Sequence, residues 1–146
     1  MACFIVSYLM PVTPQNLARS YKNSAIETAS PEKLILMLFD GALRFMHSAD
    51  EGFQEEDCIR RNELINNNIL RAQKIISELQ ASLNMKIGGE FADTMYRLYD
   101  FVNEQLMQAN LKKLQEPLRD SQRIISELRG AWAEMLAQQS SAATHG

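Results

Sequence analysis

The 146-residue chain has little of what catalytic and metal sites are made from. It holds two histidines, His47 and His145, and two cysteines, Cys3 and Cys58. Two cysteines make no disulfide framework and point to a reducing compartment. No Cys/His cluster has zinc spacing. No Glu-x-x-His pair recurs on two segments, as a di-iron bundle requires. The glycine doublet Gly88-Gly89 is not followed by Lys-Ser/Thr, so it is no phosphate cradle. Charge is nearly balanced, with 15 Lys and Arg against 18 Asp and Glu, and no long run of one sign. That argues against nucleic acid or an anionic membrane as the main partner. No stretch reaches the roughly 20 apolar residues that span a bilayer. Strand-like alternation bounded by turn signals is also missing. These absences predict an all-α protein that is not an enzyme and has no cofactor, no metal and no membrane insertion.

Helical surface is what the chain has in excess. Ser30-Pro31-Glu32 is a helix start: an N-cap hydroxyl, a proline where its missing N–H costs nothing, and an acid at the positive end of the dipole. The helix that follows, over about 31–49, carries two apolar rows: Leu34, Leu38, Ala42, Phe45, Ala49 and Ile35, Phe39, Leu43, Met46. An amphipathic helix in a small domain needs one.

Three more helices are predicted. The second covers about 58–82, with Asp57 as N-cap and a seam of Cys58, Ile65, Ile69, Ala72, Ile76, Leu79 and Leu83. Ile59, Leu64, Leu70 and Ile75 lie off that seam. Gly88-Gly89 breaks the chain. A third helix over about 90–109 has Phe91, Met95, Leu98, Val102, Leu106 and Ala109 inward, with Tyr96, Tyr99 and Phe101 on its flanks. The fourth covers about 115–137 with a seam of Leu118, Ile125, Leu128, Trp132 and Met135. Long helices with short connections predict an antiparallel up-down four-helix bundle over residues 30–137. Residues 1–29 read as an extension and flexible arm, and 138–146 as a disordered tail. Within the arm, Met1–Met10 are apolar, too short to span a bilayer and without the basic region or cleavage site of a signal peptide. Met10 is an alternative start, so this leader is either an upstream extension of the reading frame or a short arm that packs on the fold.

The second rows on the first two helices are the candidate binding surface, because soluble proteins seldom leave such patches bare and an amphipathic segment in a groove covers them. The candidates are Ile35, Phe39, Leu43, Met46, Leu64 and Ile75. Two other classes stay open: a phosphotransfer bundle acting through His47, and a bundle that self-associates through its surplus rows.

The run Thr28-Ala29-Ser30-Pro31-Glu32-Lys33-Leu34, with Met37-Leu38-Phe39-Asp40-Gly41-Ala42 behind it, resembles the first helix of the FliS family of flagellar secretion chaperones. Further marks follow in order: Arg71-Ala72, Ile75-Ile76 and Glu78-Leu79; Gly88-Gly89-Glu90; Leu98-Tyr99-Asp100-Phe101; Ala109-Asn110; and Ala131-Trp132. The resemblance implies a helical bundle in the bacterial cytosol. Such a bundle binds the disordered C-terminal segment of flagellin, prevents premature polymerisation and delivers flagellin to the type III export apparatus. It also implies that Tyr21, on the N-terminal arm, takes part in contact with the export-gate protein FlhA. Ala18 stands where the family often has an aliphatic residue, and Leu114 where a capping Asp is common.

Overall fold

A computed structural model describes residues 29–145. Tyr21 and the leader lie outside the described residues. Four helices follow one another: α1 (Pro31–Gly52), α2 (Cys58–Ala81), α3 (Gly89–Lys112) and α4 (Gln115–His145). Each packs antiparallel on its neighbours in the chain, and α4 closes back on α1. This is the predicted up-down bundle. Among the described residues there is no strand, and no helix is long and apolar enough to cross a membrane.

The ends of the helices follow local chemistry. Ser30 Oγ accepts from the Lys33 N–H at 3.1 Å, and Pro31 occupies the first turn. Asp57 Oδ1 accepts from the N–H groups of Ile59 (2.9 Å) and Arg60 (3.3 Å). The turn before α3 is built by Asn84, whose Oδ1 accepts from the Lys86 and Ile87 N–H groups, both at 3.2 Å. Both glycines of the doublet are required there. A Cβ on Gly88 would lie 2.4 Å from that of Ala92, and Gly89 has a φ of +55°. α3 stops at Lys113, itself left-handed at φ 53°, and α4 begins two residues on. α4 runs to His145, past the expected end at Ala137. The added turns hold Ala142 and Ala143, good helix formers, and no breaker precedes Gly146.

The core combines Leu38, Phe39, Ala42, Met46 and Ala49 of α1 with Ile65, Ile69, Ala72, Ile75, Ile76 and Leu79 of α2. α3 adds Tyr99, Val102, Leu106 and Ala109, and α4 adds Leu118 and Ile125. Ser121 is the buried polar side chain; its hydroxyl donates to the Pro117 carbonyl at 2.9 Å.

The two expected rows of α1 do not separate into an inner and an outer one. Phe39 (2% exposed) and Met46 (0%) are core, and so is Ile75 of α2 (1%). All three were expected in an outer groove. A row of i, i+4 steps drifts around the helix by about 40° per step, so it cannot stay on one face. The buried series 39, 42, 46, 49 alternates three and four and takes residues from both rows. Two other assignments change in the same way. Tyr99, expected on a flank of α3, is core, whereas Phe91, expected inward, is exposed. Cys58, expected in the α2 seam, is exposed because it opens the helix beyond the level where the core begins at Ile65.

Candidate functional site: the face formed by α2 and α3

The outer sides of the bundle differ. Between α1 and α4 charged groups close the seam: Arg129 Nε donates to Asp40 Oδ1 at 2.8 Å, and Asp50 Oδ1 accepts from Arg119 Nε (3.2 Å) and Gln115 Nε2 (3.1 Å). Trp132 Nε1 donates to the Glu32 carbonyl at 2.8 Å, fixing the level of α4 against the first turn of α1. Between α1 and α2 the Arg71 guanidinium sits 5.6 Å over the Phe45 ring. Gly52 there allows close approach: a Cβ on it would lie 3.1 Å from Leu64 Cβ.

Between α2 and α3 the seam is a ladder of amides. Asn110 Nδ2 donates to Asn66 Oδ1 (2.9 Å), and Gln73 Nε2 to the Asn103 carbonyl (3.1 Å). Asn103 Nδ2 donates to Ser77 Oγ (3.1 Å). Gln80 Nε2 donates to Asp100 Oδ1 (2.8 Å) and the Tyr96 carbonyl (3.0 Å). Asn66, Gln73 and Gln80 are spaced by heptads, so they stay on one edge of α2 as it packs along α3.

This polar seam is bordered by apolar side chains facing water. Among the described residues, every exposed large apolar side chain lies between Ile59 and Leu114. The ladder fixes their register. Leu70 stands between Asn66 and Gln73 along α2, and Met107 between Asn103 and Asn110 along α3, so the two form opposite banks at the same level. Tyr96 borders the seam near Gln80, and Ile59 and Leu111 lie towards one end, on the same outer sides of α2 and α3. Met85, Ile87 and Phe91 mark the other end. At 1.5 Å per residue a helix of this length gives a strip of roughly 35 Å.

Of the expected groove residues, Ile35, Leu43 and Leu64 are partly exposed. Ile35 and Leu43 lie on α1, and Leu64 on the side of α2 that meets Gly52, so the structure does not bring them into one surface with the α2–α3 strip. Leu43 borders a shallow depression on the outer face of α1, together with Asp40, Arg44, Phe45, His47 and Ser48. His47 is exposed and pairs with Glu51 at 3.1 Å. A carboxylate in that place repels a phosphoryl group and works against the phosphotransfer alternative. The α3 contribution, from Tyr96, Met107 and Leu111, was missed. Its signal was available: these apolar residues fall outside the single stripe that α3 needs for its core.

A family model described as "Flagellar protein FliS" matches residues 14–139, nearly all of the bundle. The chain belongs to the FliS family. Curated relatives agree over most of their length. The flagellar secretion chaperone FliS of Bacillus subtilis (strain 168) is 34% identical over 84% of this chain and 87% of the relative. That of Salmonella typhimurium is 33% identical over 77% and 81%, respectively. That of Vibrio cholerae is 32% identical over 77% and 80%. The FliS match begins before α1 and ends within α4, so the α2–α3 strip lies wholly inside it.

Proposed function

We infer that this chain is a bacterial cytosolic export chaperone for flagellin. It binds the disordered C-terminal segment of flagellin, keeps it from polymerising and delivers it to the flagellar type III export apparatus through the export-gate protein FlhA. Membership of a family of flagellar secretion chaperones supports the class of activity. The observation that carries the binding mode is that, among the described residues, the exposed large apolar side chains are confined to α2, α3 and their connections. A client that folds as it binds loses ordering entropy and has to bury a large surface, on the order of 1,000–3,000 Å². A long shallow strip provides such area where a compact pocket does not. Leu70, Tyr96 and Met107 are its centre; Ile35, Leu43 and Leu64 are secondary contacts if the client wraps onto α1. Phe39, Met46 and Ile75 act from beneath, as core. Tyr21, in the arm, is the candidate gate contact.

Titration calorimetry with a peptide from the C-terminal end of the cognate flagellin tests the reading. One-to-one binding with a negative heat-capacity change is expected. Absence of heat across a range of temperatures, with the full chain and with a chain lacking residues 11–29, would overturn it.

A further inference from the structure

Met85, Ile87 and Phe91 form an apolar patch at one end of the bundle, with Ile87 84% and Phe91 68% exposed. That end is uneven. Trp132 bonds to Glu32, so α1 starts at the level of Trp132, while α4 continues to His145. Those further turns extend roughly 20 Å past the start of α1. Counting back from the Lys113-Leu114 connection, the first turn of α3 stands level with residues of α4 beyond Trp132. The first turn of α3, the α2–α3 connection and the overhang of α4 therefore lie at the end of the bundle where α1 begins.

The chain enters α1 at this same end, through Ser30. Upstream it carries MACFIVSYLM, ten residues without a charged side chain. The FliS match starts at residue 14, so the leader lies outside the matched residues. The twenty residues between the leader and α1 can span at most about 70 Å. Adjacent helices are only about 8–10 Å apart, so the patch is within easy reach. An apolar leader and an apolar patch joined by such a tether meet at high effective concentration.

We propose that the leader Met1–Met10 docks on the patch of Met85, Ile87 and Phe91 at this end of the bundle. The occupant is the chain's own segment, and the contact stands whether or not the α2–α3 strip binds flagellin.

Cys3, within the leader, supplies the test. In a full-length chain carrying Cys58→Ser, Glu90→Cys places a thiol beside the patch without removing any of its apolar residues. Lys112→Cys places one at the opposite end of the bundle. Under mild oxidation at low protein concentration, the Glu90→Cys chain is expected to form its intramolecular disulfide with Cys3 at least tenfold faster than the Lys112→Cys chain. Adding Ile87→Ser and Phe91→Ser should erase that advantage. Equal rates at the two ends, or an advantage that survives the serine substitutions, would overturn the proposal. So would disulfides that join two chains in preference, because a second copy would then be the occupant. Circular dichroism checks that each variant remains helical.

Discussion

Gln73 reaches from α2 to α3 and donates its amide N–H to the main-chain carbonyl of Asn103 at 3.1 Å. A bond to the backbone fixes helix level without depending on the partner's side chain. With Asn66–Asn110 on one side and Gln80–Asp100 on the other, it sets the register of α2 against α3 and thus places Leu70 opposite Met107. Gln73→Ala is expected to cost about 1 kcal/mol, the net value of one hydrogen bond. Urea denaturation measures it. A loss of several kcal/mol would mean that the seam depends on this one amide rather than on the whole ladder.

The banks of the seam separate binding from folding. Leu70→Asp and Met107→Asp remove apolar surface that already faces water, so stability should move by no more than about 0.5 kcal/mol. Affinity for the flagellin peptide should fall roughly tenfold or more for each, the effect of losing about 1.5–3 kcal/mol of apolar burial. Thermal melts and calorimetry on the same samples provide both numbers.

Phe39 behaves in the opposite way. It is a core side chain, and Phe39→Ala is expected to destabilise the bundle by about 3–5 kcal/mol. Phe39→Asp should abolish the helical circular dichroism at 25 °C, since it buries a charge without a partner. A folded Phe39→Asp chain that fails only in binding would return Phe39 to the surface.

The overall layout was legible in the sequence because caps and breaks are local. Ser30-Pro31, Asp57, Gly88-Gly89 and the short stretch before Gln115 mark the helix boundaries. The facing of each helix was less legible. Choosing between neighbouring rows needs the position of the partner helices, and an i, i+4 row reads as a face only over two or three turns. Hence Phe39 and Met46 were expected outside and Phe91 inside. The similar runs QKIISEL at 73–79 and QRIISEL at 122–128 show the same limit. Ile75 and Ile76 are both buried in α2, whereas in α4 Ile125 is buried and Ile124 only partly so. The amide ladder was not legible at all, because Asn and Gln in heptad register read equally well as solvated surface.

Tyr99 gives the fold an alkaline limit. Burial pushes its phenol from 10.0 up to about 12. A folded-state value above the unfolded one adds stability that is complete below about pH 10 and lost as pH rises towards 12. The amount is on the order of 2–3 kcal/mol. Urea midpoints measured from pH 8 to 12 should fall across the upper half of that range, and Tyr99→Phe should flatten the fall. An identical decline in Tyr99→Phe would assign it to other groups.

Gly88 and Gly89 test the turn into α3. Gly88→Ala forces a contact with Ala92 or Asn84 and is expected to cost about 1–3 kcal/mol. Gly89→Ala has open space but a left-handed φ, and should cost about 1 kcal/mol. Equal stability of both variants and the unsubstituted chain would show that the turn relaxes at no cost.

Hydroxyl-radical footprinting of the full chain, with and without the C-terminal flagellin peptide, addresses the central claim most directly. It reads side-chain exposure at Leu70, Tyr96 and Met107 on one face and at Leu43 and Phe45 on another. If α2 and α3 form the binding face, the peptide lowers oxidation of Leu70, Tyr96 and Met107 several-fold. Saturating peptide that leaves those three unprotected, while shielding Leu43 and Phe45, would contradict the account and move the client to α1.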